Sequence, residues 1–369
     1  MHSFLRASLI ALAAGAIAMA ASSEYLTFIG DFGNGVPAFR LDTATGKLSS
    51  LGSVATSKSP AWLTISPNGK FLYAINEQAD GVSAFSIDPK SAKLTPLNKV
   101  DTKGKGPCHV SVDHTGKAIF VANYGSGSLE SYPIKADGSI GERASFIQNE
   151  GSSADKSRQK GPHAHSANVS PDNRFLVLAD LGLDKLLVYK IDPATAKLTP
   201  NDPPSTSVKP GAGPRHFVFS PDSKFGYVIN EMGNIIIGFS YDKQKGTLKE
   251  IQTIGTLPDD FKGNNSTAEI AMSSDGRFLY GSNRGLGTIA VYSVDKNTGM
   301  LTKVQDAATG GTTIRSFGID PSGQFLLAGL QEKNVVVEFK RDKSNGKLTL
   351  TGEKVDAETP VCIIFHPAK

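Results

Sequence analysis

The chain has 369 residues, 39% of them hydrophobic, which is ample for a buried core, and its 38 glycines and 20 prolines imply many turns. Its 39 Lys and Arg against 35 Asp and Glu leave a net charge of +4 with no basic run, which argues against a nucleic-acid or membrane-surface partner. Two cysteines, Cys108 and Cys362, are too few for a disulfide framework and are read as buried small hydrophobes.

The N-terminus has the form of a signal peptide over residues 1–21. Arg6 supplies the charge, "ASLIALAAGAIAMA" the apolar stretch, and Ala18-Met19-Ala20 a cleavage pattern ending near Ala20-Ala21. A secreted or periplasmic protein is expected, and no later segment is apolar enough to span a membrane. Residues 22–369 then read as one domain.

A turn pattern recurs along that domain: "SPNGK" at 66, "DHTGK" at 113, "SPDNR" at 170, "SPDSK" at 220, "SSDGR" at 273 and "DPSGQ" at 320, with a truncated "HP" at 366. Each copy follows an apolar run such as "AWLTI" or "RHFVF" and precedes a β-rich run such as "FLYAIN" or "FGYVIN". A third alternating run ("VSAFSID", "LLVYKID", "IAVYSVD") and a "TGKL" or "TAKL" turn into a fourth complete the unit. Four strands per roughly 50 residues, repeated seven times, predict an all-β, seven-bladed β-propeller. The seventh copy stops after one strand, and "YLTFIGDFGNGVPAFRLDTATGKL" (25–48) supplies its other strands, so the two ends of the chain share a blade and close the ring.

Aligned on the turn, the starts of the innermost strands and the ends of the second strands ring the central channel at one face. Five residues before the turn stand Ala61, Cys108, His165, Arg215, Ala268, Arg315 and Val361; one residue later come Trp62, His109, Ser166, His216, Glu269, Ser316 and Cys362. Glu231 and Arg284 reach the same rim from the second strands. A structural ring would be small or apolar, so this gathering of titratable groups marks a site. The long loops 149–164, 201–213 and 257–268 lie on that face too. Asn76, Asn123, Asp180, Asn230 and Asn283, ten residues after the turn, are read as turn caps.

The motifs "GPCHVSVD…ANYGSGS", "GPHAHS…LADLGLDKLLVYKID", "GAGPRHFVFSPD…INE", "AEI…SSDGRFLYGSNRG" and "FGIDPSGQFLLAG" resemble the seven-bladed lactonase family. That family includes propeller-type 6-phosphogluconolactonases and fungal 3-carboxy-cis,cis-muconate cyclases. The resemblance runs from about residue 25 to the C-terminus and implies a site of His165, Arg215, Glu231 and Arg284 around the channel mouth. One departure is Ile314-Arg315, where the family has Pro-Arg.

Lactone opening needs a base for water, for which Glu231 and His165 are candidates, and fixed positive charge where the carbonyl oxygen becomes negative, for which Arg215 and Arg284 are candidates. His163, His216, Glu269, Arg315 and His109 are expected to line the substrate site. His163-x-His165 has the spacing of a two-His metal site, but the acidic constellation of metal-dependent propeller lactonases is missing, so no metal or cofactor is expected. The leading expectation is a monomeric hydrolase of a small anionic sugar-acid-type lactone. The alternatives are a carboxymuconate-type cycloisomerase and a secreted propeller that only binds.

Overall fold

Seven four-stranded antiparallel sheets make up the computed structural model, which describes residues 23–367. The expected signal peptide at 1–21 lies outside the described residues. Blade 1 runs outward from the channel through strands Pro60–Ile65, Phe71–Asn76, Gly81–Ile87 and Leu94–Asp101. The innermost strands of blades 2 to 6 are Pro107–Val112, Ala164–Val169, Pro214–Phe219, Ser266–Met272 and Ile314–Ile319. In blade 7 the C-terminal strand Cys362–Pro367 pairs with Glu24–Gly30, followed by Gly35–Asp42 and Lys47–Thr56. The expected shared blade is therefore present. Each innermost strand touches the next around the whole ring, Cys362–Pro367 against Pro60–Ile65 included.

The repeated turn has a simple physical basis. Its first side chain accepts the backbone N–H five residues on: Ser170 Oγ from Phe175 and Ser273 Oγ from Phe278 at 3.0 Å, Asp113 Oδ1 from Ala118 at 2.8 Å. Its fourth residue is left-handed, which explains Gly at 69, 116, 276 and 323 and the tolerance of Asn173 there.

Blade-to-blade packing is set by a size match between two motifs far apart in sequence. The left-handed Gly of an outer turn lies on the Phe that opens the second strand of the preceding blade, as in Gly246 on Phe175, Gly299 on Phe225 and Gly346 on Phe278. A Cβ on any of these glycines would fall inside the ring's van der Waals envelope. Tyr227 and Tyr280 then donate their hydroxyls to the Gly299 and Gly346 carbonyls. Where the second strand opens with Ala118 instead of Phe, the facing turn carries Ala196, and the two alanines share one core cluster. Gly246→Ala therefore combines a left-handed alanine with overpacking and should cost about 2 kcal/mol or more. Ala196→Gly should be close to neutral. Chemical denaturation of both variants checks the match, and equal stabilities would refute it.

The five residues read as turn caps are 0–2% exposed and hydrogen-bonded to loops and neighbouring strands. Asp180, for example, accepts from the backbone N–H groups of His163, Gly182 and Leu183 and from Asn149 Nδ2. Cys108 and Cys362 are free and buried.

Candidate active site at the channel mouth

Each innermost strand starts where its neighbour ends, so both contribute to one mouth. In six blades the pairing slips at that point, between Pro60 and Trp62, Pro107 and His109, Ala164 and Ser166, Pro214 and His216, Thr267 and Ile270, and Ile314 and Ser316. The residues left over include His165, Arg215, Glu269 and Arg315. They sit on β-bulges, which release a side chain from the ladder and re-aim it.

Glu231 is the centre of the mouth. Its Oε2 accepts from Arg215 Nε at 3.1 Å and forms an ion pair with Arg284 Nη2 at 2.9 Å, and its Oε1 accepts from Arg158 Nη2 at 2.8 Å. Burial alone would raise this carboxyl, but the three guanidiniums outweigh it and hold it at about 2. Arg215 is 2% exposed and also donates to the Ala268 carbonyl at 2.8 Å. Burial first, then the charges of Arg315 and Arg284, draw its guanidinium down to about 9. Arg284 bonds the Thr267 carbonyl as well, while its buried Nε has no protein acceptor.

One residue further along the strands lies a column of aromatic and imidazole rings. Trp62 stacks on His109 at 4.8 Å, and His216 packs edge-on to His109, His165 and Trp62 at 4.9–5.6 Å. Burial foremost, with neighbouring positive charge, pushes all three histidines well below the ordinary imidazole range, so they are neutral. His216 Nδ1–H donates to Glu269 Oε1 at 2.9 Å, and its Nε2 receives Arg215 Nη1 at 3.3 Å. Among the described residues, the one side-chain hydrogen-bonding contact of the His165 ring is Nδ1 to Cys108 Sγ at 3.9 Å.

The two histidines of "GPHAH" face different partners. His163 donates Nδ1–H to the Tyr124 carbonyl at 2.9 Å and stacks on the Tyr124 ring at 4.6 Å, tying its loop to blade 2. The loop rests on Gly182, where a Cβ would collide with the Gly161 carbonyl. Among the described residues no group of three or more His, Cys, Asp or Glu is arranged to hold a metal. Arg315 lies over the Phe32 ring at 5.7 Å, and its charge acts on the buried carboxyl of Glu77.

Over residues 24–365 the sequence matches the family model described as "Lactonase, 7-bladed beta-propeller". The chain belongs to the seven-bladed β-propeller lactonase family. It is 40% identical over 262 residues to a 6-phosphogluconolactonase of Bacillus subtilis, covering 71% of this chain and 74% of that one. A putative 6-phosphogluconolactonase of Bacteroides fragilis superposes with a TM-score of 0.87 at 36% identity, over 93% of this chain and 98% of that one. The periplasmic gluconolactonase of Pseudomonas aeruginosa gives 0.88 at 30% identity, over 94% and 100%.

Eight rim residues of this lactonase-family propeller are predictable from repeat phase, and the fold brings them to the bulges, the second-strand ends or the ring column, while His163, singled out by its motif, lies just before strand Ala164–Val169. Arg158 is not predictable that way. It lies in the loop before blade 3, outside the repeat, and nothing but that loop's length and face points to it.

Glu269 has a measurable consequence. Burial raises its carboxyl from the ordinary 4.5 to about 7, so the folded state holds this proton more tightly than the unfolded chain. Stability should fall as pH rises from about 4.5 to 7 by up to about 3 kcal/mol from this group. Glu269→Gln keeps an acceptor for His216 and should remove that component. Denaturation at pH 5 and pH 8 checks it, and an unchanged difference between the two pH values in the variant would contradict it.

Proposed function

We propose that this chain is a lactone hydrolase of the 6-phosphogluconolactonase type, opening a small anionic sugar-acid-type lactone at the channel mouth. The supporting observation is the mouth itself: a carboxylate held ionised by three guanidiniums, beside the neutral His165, on the scaffold of a lactonase family. The lactonase names of the relatives favour lactone opening over muconate cyclisation or binding alone.

Hydrolysis adds water to the ester carbonyl and places negative charge on its oxygen. His165 accepts the water's proton through Nε2, the nitrogen away from Cys108, and returns it to the ring oxygen as the C–O bond breaks. The Arg284 Nε–H, without a protein acceptor, and the Arg215 guanidinium stabilise the carbonyl oxygen. Glu231, with its proton affinity held so low, is a poor base, and its part is to fix these two arginines. His216, Glu269 and His109 support Arg215 and His165 from the channel side. Arg315 adds positive charge to the mouth, and His163 orders the loop that carries Arg158. The scheme uses no cofactor and no metal.

The proposal also has the chain exported after cleavage near Ala20-Ala21 and acting as a monomer. Export is supported by the periplasmic location named for the Pseudomonas relative, and no described helix is long and apolar enough to cross a membrane.

The test is metal-free turnover of 6-phosphoglucono-δ-lactone and glucono-δ-lactone by the purified protein. His165→Ala and Arg284→Ala should each lower kcat by about 10²–10³-fold with unfolding unchanged. Because the proton affinity of His165 is depressed, neutral imidazole persists below pH 6.5, and the acid fall in kcat/KM should lie below that value. A well-folded protein that opens neither lactone, or a fully active His165→Ala variant, would contradict the proposal.

A further inference from the structure

Arg158 is the one guanidinium at the mouth that comes from a loop. Its backbone is fixed without help from its side chain. Asp155 Oδ1 accepts from the Ser157 N–H at 2.7 Å, the Ser157 hydroxyl at 2.6 Å and the Arg158 N–H at 3.0 Å. The fully buried Gln159 donates Nε2 to the Leu181 carbonyl at 2.8 Å and accepts the Asp155 N–H at 2.9 Å. Ser153 Oγ reaches Asp184 at 2.6 Å. The loop is therefore a rigid bracket, and the movable part is the Arg158 side chain, 45% exposed, lying across Tyr124 Oη at 3.1 Å and Glu231 at 2.8 Å.

The charges at the mouth do not need it. Glu231 already has two guanidiniums on Oε2, from side chains 2% and 16% exposed, so a third overshoots neutrality. A half-exposed ion pair contributes little, whereas a guanidinium on a phosphate forms two parallel charge-assisted bonds. Exchanging Glu231 for an incoming dianion is thus downhill for Arg158 and uphill for the buried Arg215. Arg158 Nη2 and Arg284 Nη2 lie at 2.8 and 2.9 Å on the two oxygens of the same Glu231 carboxylate, so an anion held beside Arg284 is within reach of Arg158.

Resting on the lactonase reading above, we propose that Arg158 is the specificity-determining residue that selects phosphorylated over neutral lactones, leaving Glu231 to grip the substrate's phosphate at the solvent side of the mouth. Tyr124 Oη guides the swing, and the lactone ring lies deeper, against Arg284 and His165.

The experiment compares wild type, Arg158→Ala and Arg158→Lys on 6-phosphoglucono-δ-lactone and on glucono-δ-lactone, with calorimetric binding of the product 6-phosphogluconate. Arg158→Ala should raise KM for the phosphorylated lactone about 10–100-fold with kcat little changed, and weaken 6-phosphogluconate binding to the same degree. Arg158→Lys should restore part of the loss. Glucono-δ-lactone kinetics and the unfolding temperature should stay as in wild type. Equal losses on both lactones, unchanged KM for the phosphorylated one, or a lowered unfolding temperature that accounts for the loss would each overturn the assignment while leaving the lactonase reading in place. If wild type opens neither lactone, that reading fails instead. The assignment is then decided by calorimetry, and undiminished 6-phosphogluconate binding by Arg158→Ala overturns it.

Discussion

A single buried carboxylate organises the mouth of this propeller. Glu231 is 7% exposed, and an isolated ionised carboxylate in such a place would neutralise itself by taking up a proton. Three arginines prevent that. Arg215 and Arg284 can in turn remain buried and charged because Glu231 is ionised, and each draws further support from a carbonyl, of Ala268 and of Thr267. Removing Glu231, Arg215 or Arg284 leaves an uncompensated charge in a poorly solvated place, a far larger penalty than loss of a surface ion pair or of the half-exposed Arg158.

The scaffold places these groups by a backbone device rather than by a special loop. A propeller brings seven innermost strands to one axis, and a bulge near the start of six of them turns a side chain out of the ladder and toward the mouth. The same position accepts Ala61 in one blade and Arg215 in another with the turn, the cap and the second strand unchanged. The lower column of rings has a complementary role. Trp62, His109 and His216 pack their rings against one another, and His216 links Glu269 to Arg215.

Much of this is legible in the sequence because a propeller is periodic. Turn phase alone locates the blades, the shared seventh blade and the rim positions. It also assigns Asn76, Asn123, Asp180, Asn230 and Asn283 to capping, since a residue present in five blades serves the blade. What periodicity does not contain is the non-periodic part. The bulges have no residue signature, the Phe-Gly match joins residues about 70 apart, and Arg158 arrives from an irregular loop. The state of Glu231 is hidden for the same reason. A carboxylate at a rim reads as a base until the number of guanidiniums on it is known, and three of them make it an anchor.

The most direct test of this account is the titration of Glu231 itself, by carbon NMR of protein labelled at the glutamate side-chain carboxyl, with the resonance assigned through Glu231→Gln. The account predicts a carboxyl that stays ionised as pH is lowered through 4.5 and down to the onset of acid unfolding. A resonance that titrates at or above 4.5 would mean that the guanidiniums do not hold the charge, and the organisation of the mouth described here would be wrong.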